Sequence, residues 1–185
     1  SGLTAGTHTV TVKAATAAFI ESDQTLGETV IESGGLMTIS NGATTAAISF
    51  TSDTVNTAQN IADAINAGTS DFVASVELDG SLKVTSAAVG GGQAISIAVD
   101  GTNLTQADLG LSTLTGADGT SATIQLDSGA TQELTNTAGT VTLSNGTGGS
   151  LVLDTAATAQ ASFASSTLEV TVSAATFDVS LDNGT

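Results

Sequence analysis

A mainly β fold with one short helix is what the sequence predicts: an α+β chain of antiparallel sheets, its helix packed on a hairpin in the first half, its second half all β. Three observations carry this. A single stretch has helical periodicity, most other apolar runs alternate in twos, and beyond residue 117 turn signals recur about every eight to twelve residues.

The helix is expected over about 57–67. Ala58, Ile61, Ala62 and Ile65 fall at i, i+3, i+4 and i+7, one face of a 3.6-residue period. Asn56 is expected as N-cap, with Gln59 at the capping-box position three residues on, and Gly68 as a left-handed C′ stop. A helix of about three turns does not persist alone in water, so it must lie on the strands that follow.

Those strands fix their own register by parity. Phe72, Ala74, Val76 and Leu78 alternate with Val73, Ser75 and Glu77, and Leu82 and Val84 alternate with Lys83 and Thr85. A two-residue Asp79-Gly80 turn would set Glu77 opposite Leu82 and mix the faces. A three-residue loop, Leu78-Asp79-Gly80, sets Val76 opposite Leu82 and Ala74 opposite Val84, and puts Gly80 where a type I turn plus bulge needs positive φ. The apolar face then receives Ile61 and Ile65, and Lys83 lies diagonal to Glu77 on the wet face.

In chain order, His8, Val10 and Val12 alternate against Thr9, Thr11 and Lys13, a half-buried strand over 7–13. Ala14 to Ile20 is a short helix or a strand extension. Residues 21–35 read mostly as loop, with a short strand at 29–31. Leu36–Ser40 and Ala46–Thr51 flank the turn signal Asn41-Gly42. Gly90-Gly91-Gly92 breaks the chain, 94–99 is a strand ended by Asp100-Gly101, and Leu104–Leu111 holds one turn of helix. Thr115–Gly119 is the best boundary, dividing an α/β domain at 1–116 from an all-β domain or extension at 117–185. Strands are expected at about 121–126, 130–135, 139–144, 150–154, 160–164, 167–173 and 176–181.

Two internal echoes stand out. Met37-Thr38-Ile39-Ser40-Asn41-Gly42 recurs as Val141-Thr142-Leu143-Ser144-Asn145-Gly146, and Asp53–Gln59 recurs as Asp154–Gln160, in the same order. Val10–Thr16 recurs as Val170–Thr176. If the last strand neighbours the one at 7–13, the chain ends lie together, as they do in a module inserted into another domain.

Composition narrows the functional classes. The 185 residues carry 18 acids against two lysines, a formal charge of −16, with no Cys, Pro, Trp or Tyr and only five Phe. Such a surface repels nucleic acid and anionic membrane, which both need basic contacts. Zero cysteine excludes disulfides and thiolate metal sites, and no run approaches the roughly 18 apolar residues of a membrane span. Disorder is disfavoured by the sustained apolar alternation. The chain begins at Ser1 with no visible signal peptide, and is expected to be a piece whose flanks are missing.

Catalysis is not expected, because enzyme sites recruit His, Cys, Lys, Arg and Tyr. His8, the only histidine, lies among threonines with no acid nearby in sequence, and is expected as a surface or packing residue. No G-x-S-x-G elbow is present. Gly90-Gly91-Gly92 lacks a following Lys and helix, so it is a flexible turn and not a phosphate cradle. The turns Asp79-Gly80, Asp100-Gly101, Asp118-Gly119 and Asp182-Asn183-Gly184 are oxygen-rich, as calcium requires, but neither the EF-hand spacing nor the Gly-rich calcium repeat occurs, and Asp-Gly is common hairpin chemistry. No catalytic, cofactor or metal residue is therefore assigned. Sequons occur at Asn103, Asn145 and Asn183, as chance allows in a chain so rich in Asn, Gly and Thr.

Ile65-Asn66-Ala67, Val73-Ala74-Ser75-Val76, Asp79-Gly80-Ser81-Leu82 and Val84-Thr85-Ser86, in that order and spacing, resemble the "IN" motif of bacterial flagellins and of the flagellar filament cap protein. The match covers about 36–112, under half the chain. The resemblance implies a structural, extracellular outer domain of the bacterial flagellum, exported through the flagellar channel without a cleaved signal. Its partners would be other flagellin subunits, met through helical segments outside this chain; O-linked sugars on Ser or Thr would fit; the isolated segment would be monomeric. The flagellin variable domain, with a motility and antigenic role, is the preferred reading, favoured by Asp108-Leu109-Gly110-Leu111 and the Thr/Ser/Gly-rich second half. The alternative is the outer part of the filament cap or a hook-associated protein. Leu3–Val12, with Ala5-Gly6-Thr7-His8-Thr9-Val10-Thr11-Val12, resembles the "A-G-T-Y-T-V-x-V" start of the cap's outer domain. An adhesin or carbohydrate-binding module is third, and it lacks the Trp or Tyr platforms on which sugars stack.

Overall fold

The computed structural model describes residues 2–22, 30–51, 54–110, 114–134, 138–155 and 163–173. In chain order the elements are β1 (Gly6–Lys13), β2 (Ala17–Ser22), β3 (Val30–Ile31), β4 (Leu36–Ser40), β5 (Thr45–Ser49), β6 (Thr54–Val55), α1 (Ala58–Gly68), β7 (Phe72–Val76), β8 (Leu82–Val89), β9 (Ser96–Val99), β10 (Leu114–Ala117), β11 (Thr123–Leu126), β12 (Gln132–Glu133), β13 (Gly139–Ser144), β14 (Ser150–Thr155) and β15 (Ser166–Val172). All named strand pairs are antiparallel, as expected for a mainly β chain with one short helix.

Two hydrophobic cores organise these elements. The first gathers Ile20, Met37, Ile39, Ile48, Ile61, Ile65, Phe72, Leu82 and Val84 with Leu104 and Leu109. The second gathers Val10, Ala122, Ile124, Leu126, Leu134 and Leu143. The expected division at 116/117 groups β1 with the first core; in the structure Val10 packs in the second, because β1 is hydrogen-bonded between β11 and β15 in the sheet β12-β11-β1-β15. Gly116 and Ala117, expected at the boundary, instead pair with Ile20 and Phe19 in the sheet β10-β2-β8-β7. The chain thus starts one lobe with β1, builds the other from β2 to β10, and returns to finish the first.

The helix buries Ala58, Ile61, Ala62 and Ile65, the face that the periodicity marks. Its ends differ from expectation. Thr57, not Asn56, is the N-cap: its Oγ1 accepts the Asn60 N–H at 3.2 Å. Asn56 is buried and spends its side-chain amide on the Asp108 carbonyl at 2.6 Å, which ties the 104–110 turns to the helix entrance. Gln59 does not close a capping box; its amide donates to Asp63 one turn on, at 2.7 Å. Gly68 is the last helical residue and Thr69 turns extended, so no left-handed glycine ends the helix. A β-carbon on Gly68 would lie 2.6 Å from Ile48 Cδ1, so this glycine serves close packing of helix on β5.

The hairpin has the register that parity demands: Val76 faces Leu82 and Ala74 faces Val84. Gly80 has φ +87, as the bulge requires. Phe72, Ala74, Leu82 and Val84 are buried toward the helix. On the outer face Lys83 lies 3.4 Å from Glu21 and 3.8 Å from Glu77, and its ammonium sits over the Phe19 ring at 4.5 Å.

Asn66 gives the Ile-Asn pair its physical meaning. Ile65 is fully buried, and the next side chain reaches the free edge of β7. The Asn66 amide donates to the Ala74 carbonyl and its oxygen accepts the Ala74 N–H, both at 2.9 Å. One side chain thus replaces a missing strand at that position, anchoring the helix and blunting the sheet edge. Asn66→Ala should lower stability by about 1–2 kcal/mol, the net worth of two such bonds, measured by urea denaturation. Asn66→Asp should lose most of the same amount, because a carboxylate accepts but cannot donate.

Other expectations resolve as follows. The segment from Ala17 is strand and not helix, pairing with β8 and β10. Residues 106–110 form turns and not a helix, with Leu104 and Leu109 fully buried as edge seals. The first echo is structural: Ser40-Asn41-Gly42 and Ser144-Asn145-Gly146 each end a strand and open a hairpin turn. The strand expected at 176–181, the Asp182-Asn183-Gly184 turn, Leu111, the first echo's Asp53 and 156–160 and the second echo's 174–176 lie outside the described residues.

Candidate functional site

The lobes meet where the chain crosses between them twice, at 14–16 and 118–122. Thr16 N–H donates to the Thr120 carbonyl at 2.9 Å, Thr120 N–H donates to the Thr16 carbonyl at 3.2 Å, and the two hydroxyls lie 2.8 Å apart. The glycine run after β8 is built into this junction. Gly90 N–H donates to the Thr16 carbonyl at 3.1 Å, and Gly91 N–H to Ser121 Oγ at 3.1 Å. Gly119 N–H donates to the Gln93 carbonyl at 2.9 Å, and a β-carbon on Gly119 would come within 2.4 Å of the Gly90 carbonyl oxygen. Gly90 and Gly91, expected in a flexible turn, are thus held in the junction, and the close approach of backbone segments that a side chain would prevent is at Gly119.

A second polar centre lies at the free end of β1. His8 is buried, its Nδ1 2.7 Å from Asp127 Oδ2 and its Nε2 3.0 Å from the Thr4 carbonyl. Both partners only accept hydrogen bonds, so the full set requires an imidazolium donating from both nitrogens. Asp127 also takes the Thr9 N–H through Oδ1 at 2.7 Å, while its own N–H donates to the Thr9 carbonyl at 2.7 Å. It adopts φ +50, a left-handed conformation that short polar side chains tolerate. The acid missing near His8 in sequence is supplied across the sheet, 119 positions away. Nε2 is spent on a main-chain carbonyl, so among the described residues the pair forms an ionic tie between β1 and the turn after β11.

The Thr4 carbonyl and then Asp127 raise the His8 pKa above its ordinary value. The Thr9 N–H and then His8 hold the Asp127 carboxyl below the usual carboxylate range. A group whose pKa is raised on folding contributes stability that is complete below its unfolded pKa and lost as pH rises through the folded one; a depressed carboxyl contributes above its unfolded pKa and loses that as pH falls through the folded one. The tie therefore contributes in full between the unfolded pKa of Asp127 and that of His8, and its contribution is lost as pH falls through the folded pKa of Asp127 or rises through that of His8. The thermal-stability advantage of the natural chain over His8→Gln should be largest near pH 5 and shrink on passing from neutral to alkaline pH, as followed by melting across pH.

Two of the oxygen-rich turns spend their carboxylates within the turn itself. Asp79 Oδ1 accepts the Ser81 hydroxyl at 2.7 Å and its N–H at 3.0 Å, and these bonds lower its pKa. Asp100 Oδ1 accepts the N–H groups of Thr102 and Leu104, each at 3.2 Å. Asp118 is exposed beside the lobe junction. Among the described residues no group of three His, Cys, Asp or Glu side chains converges, and no helix is long and apolar enough to cross a membrane. Of the sequons, Asn145 is buried with its amide oxygen held by the turn, Asn103 is half-buried, and Asn183 lies outside the described residues.

No protein-family model and no curated protein sequence matches the chain. Solved structures do. The D2–D3 domains of the flagellar cap protein FliD from Serratia marcescens, in space group P432, align with a TM-score of 0.52 at 17% identity, covering 92% of this chain and 94% of that one. The chain shares the fold of these D2–D3 domains. FliD (HAP2) from Pseudomonas aeruginosa PAO1 aligns at 21% identity and TM-score 0.49, over 94% of this chain and 83% of that one. The FliD D2–D3 domains from Escherichia coli align at 20% and 0.48, over 92% and 91%. At 17% identity the Serratia likeness is one of fold.

Proposed function

We propose that this chain is the outer, two-lobed part of a flagellar filament cap protein, a structural and non-enzymatic element outside the cell at the end of the filament. The observation that carries this reading is the likeness to the Serratia D2–D3 domains over nearly the whole of both chains. The sequence agrees at both lobes. Residues 5–12, which lead into and form most of β1 in the second lobe, resemble the start of the cap's outer domain, and the Ile-Asn helix and hairpin lie in the first lobe. The variable domain of flagellin is the reading preferred on sequence, from the helix-hairpin motif, Asp108-Leu109-Gly110-Leu111 and the Thr/Ser/Gly-rich second half; the fold likeness favours the cap instead.

Copy number separates the two readings. A component confined to one filament end contributes a fixed number of copies whatever the length, whereas flagellin contributes in proportion to it. In filaments of the source cell sheared and fractionated by length, the ratio of this chain to the bulk filament protein, measured by quantitative mass spectrometry, should fall inversely with length. A ratio independent of length would replace the cap reading with the flagellin one.

A further inference from the structure

The repeated Ser-Asn-Gly tripeptide is chemically conspicuous. In an Asn-Gly pair the glycine nitrogen loses its proton and attacks the asparagine side-chain carbon. The new N–Cγ bond closes a five-membered succinimide while the Cγ–Nδ2 bond breaks and ammonia leaves. Water then opens the ring at either carbonyl, leaving aspartate or isoaspartate. Glycine is the residue that hinders this attack least, so both hairpins place the most labile dipeptide at their turns.

We propose that the Ser-Asn-Gly turns hold Asn41 and Asn145 inert toward this reaction, so that deamidation at either marks the opening of its hairpin. In both turns the reacting groups are engaged separately. Gly42 N–H donates to Ser40 Oγ at 3.2 Å, and Gly146 N–H to Ser144 Oγ at 3.3 Å. The electrophile is anchored the other way. Asn41 Oδ1 accepts the N–H groups of Ala43 at 3.0 Å and Thr44 at 2.8 Å and the Thr44 hydroxyl at 3.1 Å. Asn145 Oδ1 accepts the N–H groups of Thr147 at 3.0 Å and Gly149 at 2.9 Å. Asn41 also has its leaving nitrogen tied to Ser86 Oγ at 2.9 Å. Swinging Cγ onto the glycine nitrogen breaks these bonds together, and only an opened turn can do so.

The reaction is one-way. Asn41 is 1% exposed and Asn145 5% exposed. Aspartate at either position sets a carboxylate in a buried place, and isoaspartate adds a methylene to the main chain of a turn whose strands are in fixed register. Isoaspartate cannot re-form the turn, whereas aspartate can still accept the same N–H groups but carries a charge into the buried place.

The test is peptide mapping of the 185-residue chain after incubation at one mildly alkaline pH and temperature, folded and in urea. Conversion at residues 41 and 145 should be slower in the folded chain by on the order of tenfold or more, since it waits on local opening. Ser144→Ala, which frees the Gly146 N–H, should speed conversion about two- to tenfold at Asn145 only, the worth of one hydrogen bond. Ser40→Ala, which frees the Gly42 N–H and also removes the hydroxyl's bonds to the Thr44 carbonyl and the Thr45 hydroxyl, should speed conversion at Asn41 only and by at least as much, with circular dichroism unchanged in both. Folded and unfolded rates that agree within about twofold, or serine variants that leave their own sites unchanged, would overturn the proposal.

Discussion

Gly129→Ala should cost the second lobe about 3 kcal/mol or more, at the upper end for a single substitution. Gly129 closes the turn after β11: its N–H donates to the Leu126 carbonyl at 2.9 Å and its carbonyl accepts the Gln125 amide at 2.7 Å. A β-carbon there would sit 1.6 Å from the Ser144 carbonyl oxygen, 2.7 Å from its carbon and 3.0 Å from the Leu126 oxygen. All three are main-chain atoms, so no rotamer relieves the overlap, and the β13–β14 hairpin must move off the β11 turn. Leu126 and Leu143, both fully buried, flank the contact and would lose packing with it. Amide exchange locates the damage: β11 and β13 should lose protection while α1, β7 and β8 keep theirs. An unchanged melting temperature with unchanged protection would contradict this packing.

Phe72→Ala should take about 3–5 kcal/mol from the first lobe, the usual cost of an emptied aromatic site. Phe72 is 1% exposed, opens β7, and lies in the same core as Ile61 and Ile65. A helix of 11 residues has too little stability of its own to survive without its platform, so helical circular dichroism and the hairpin's amide protection should be lost together in urea titration. Retention of the helix after loss of the hairpin would show that α1 does not depend on the face it covers.

How much of this was legible in the sequence follows from contact range. Helix face and hairpin register were readable because a few neighbouring residues decide them: a wrong parity would have placed Glu77 against Leu82. The helix caps were not. Asn56 and Thr57 are both cap formers, and the choice is made by the Asp108 carbonyl 52 positions on, which claims Asn56. The β1 strand was plain, but its place in the second core was not, since alternation says which face is apolar and not which sheet receives it. His8 looked isolated because its acid is brought by the β1–β11 pairing, and Asp127 carries no local signal beyond lying in a turn. The glycines after β8 looked like slack; their meaning is set by Thr16 and Ser121, which reach them only when both crossings of the junction are in place.

The claim that this chain belongs at the filament end is met most directly by immunogold labelling of the source bacterium, with antibody raised to the chain. The account predicts label at the distal tip of each filament and none along its length. Label along the whole filament would contradict it and make the chain a flagellin surface domain; label on the cell body would remove it from the flagellum altogether.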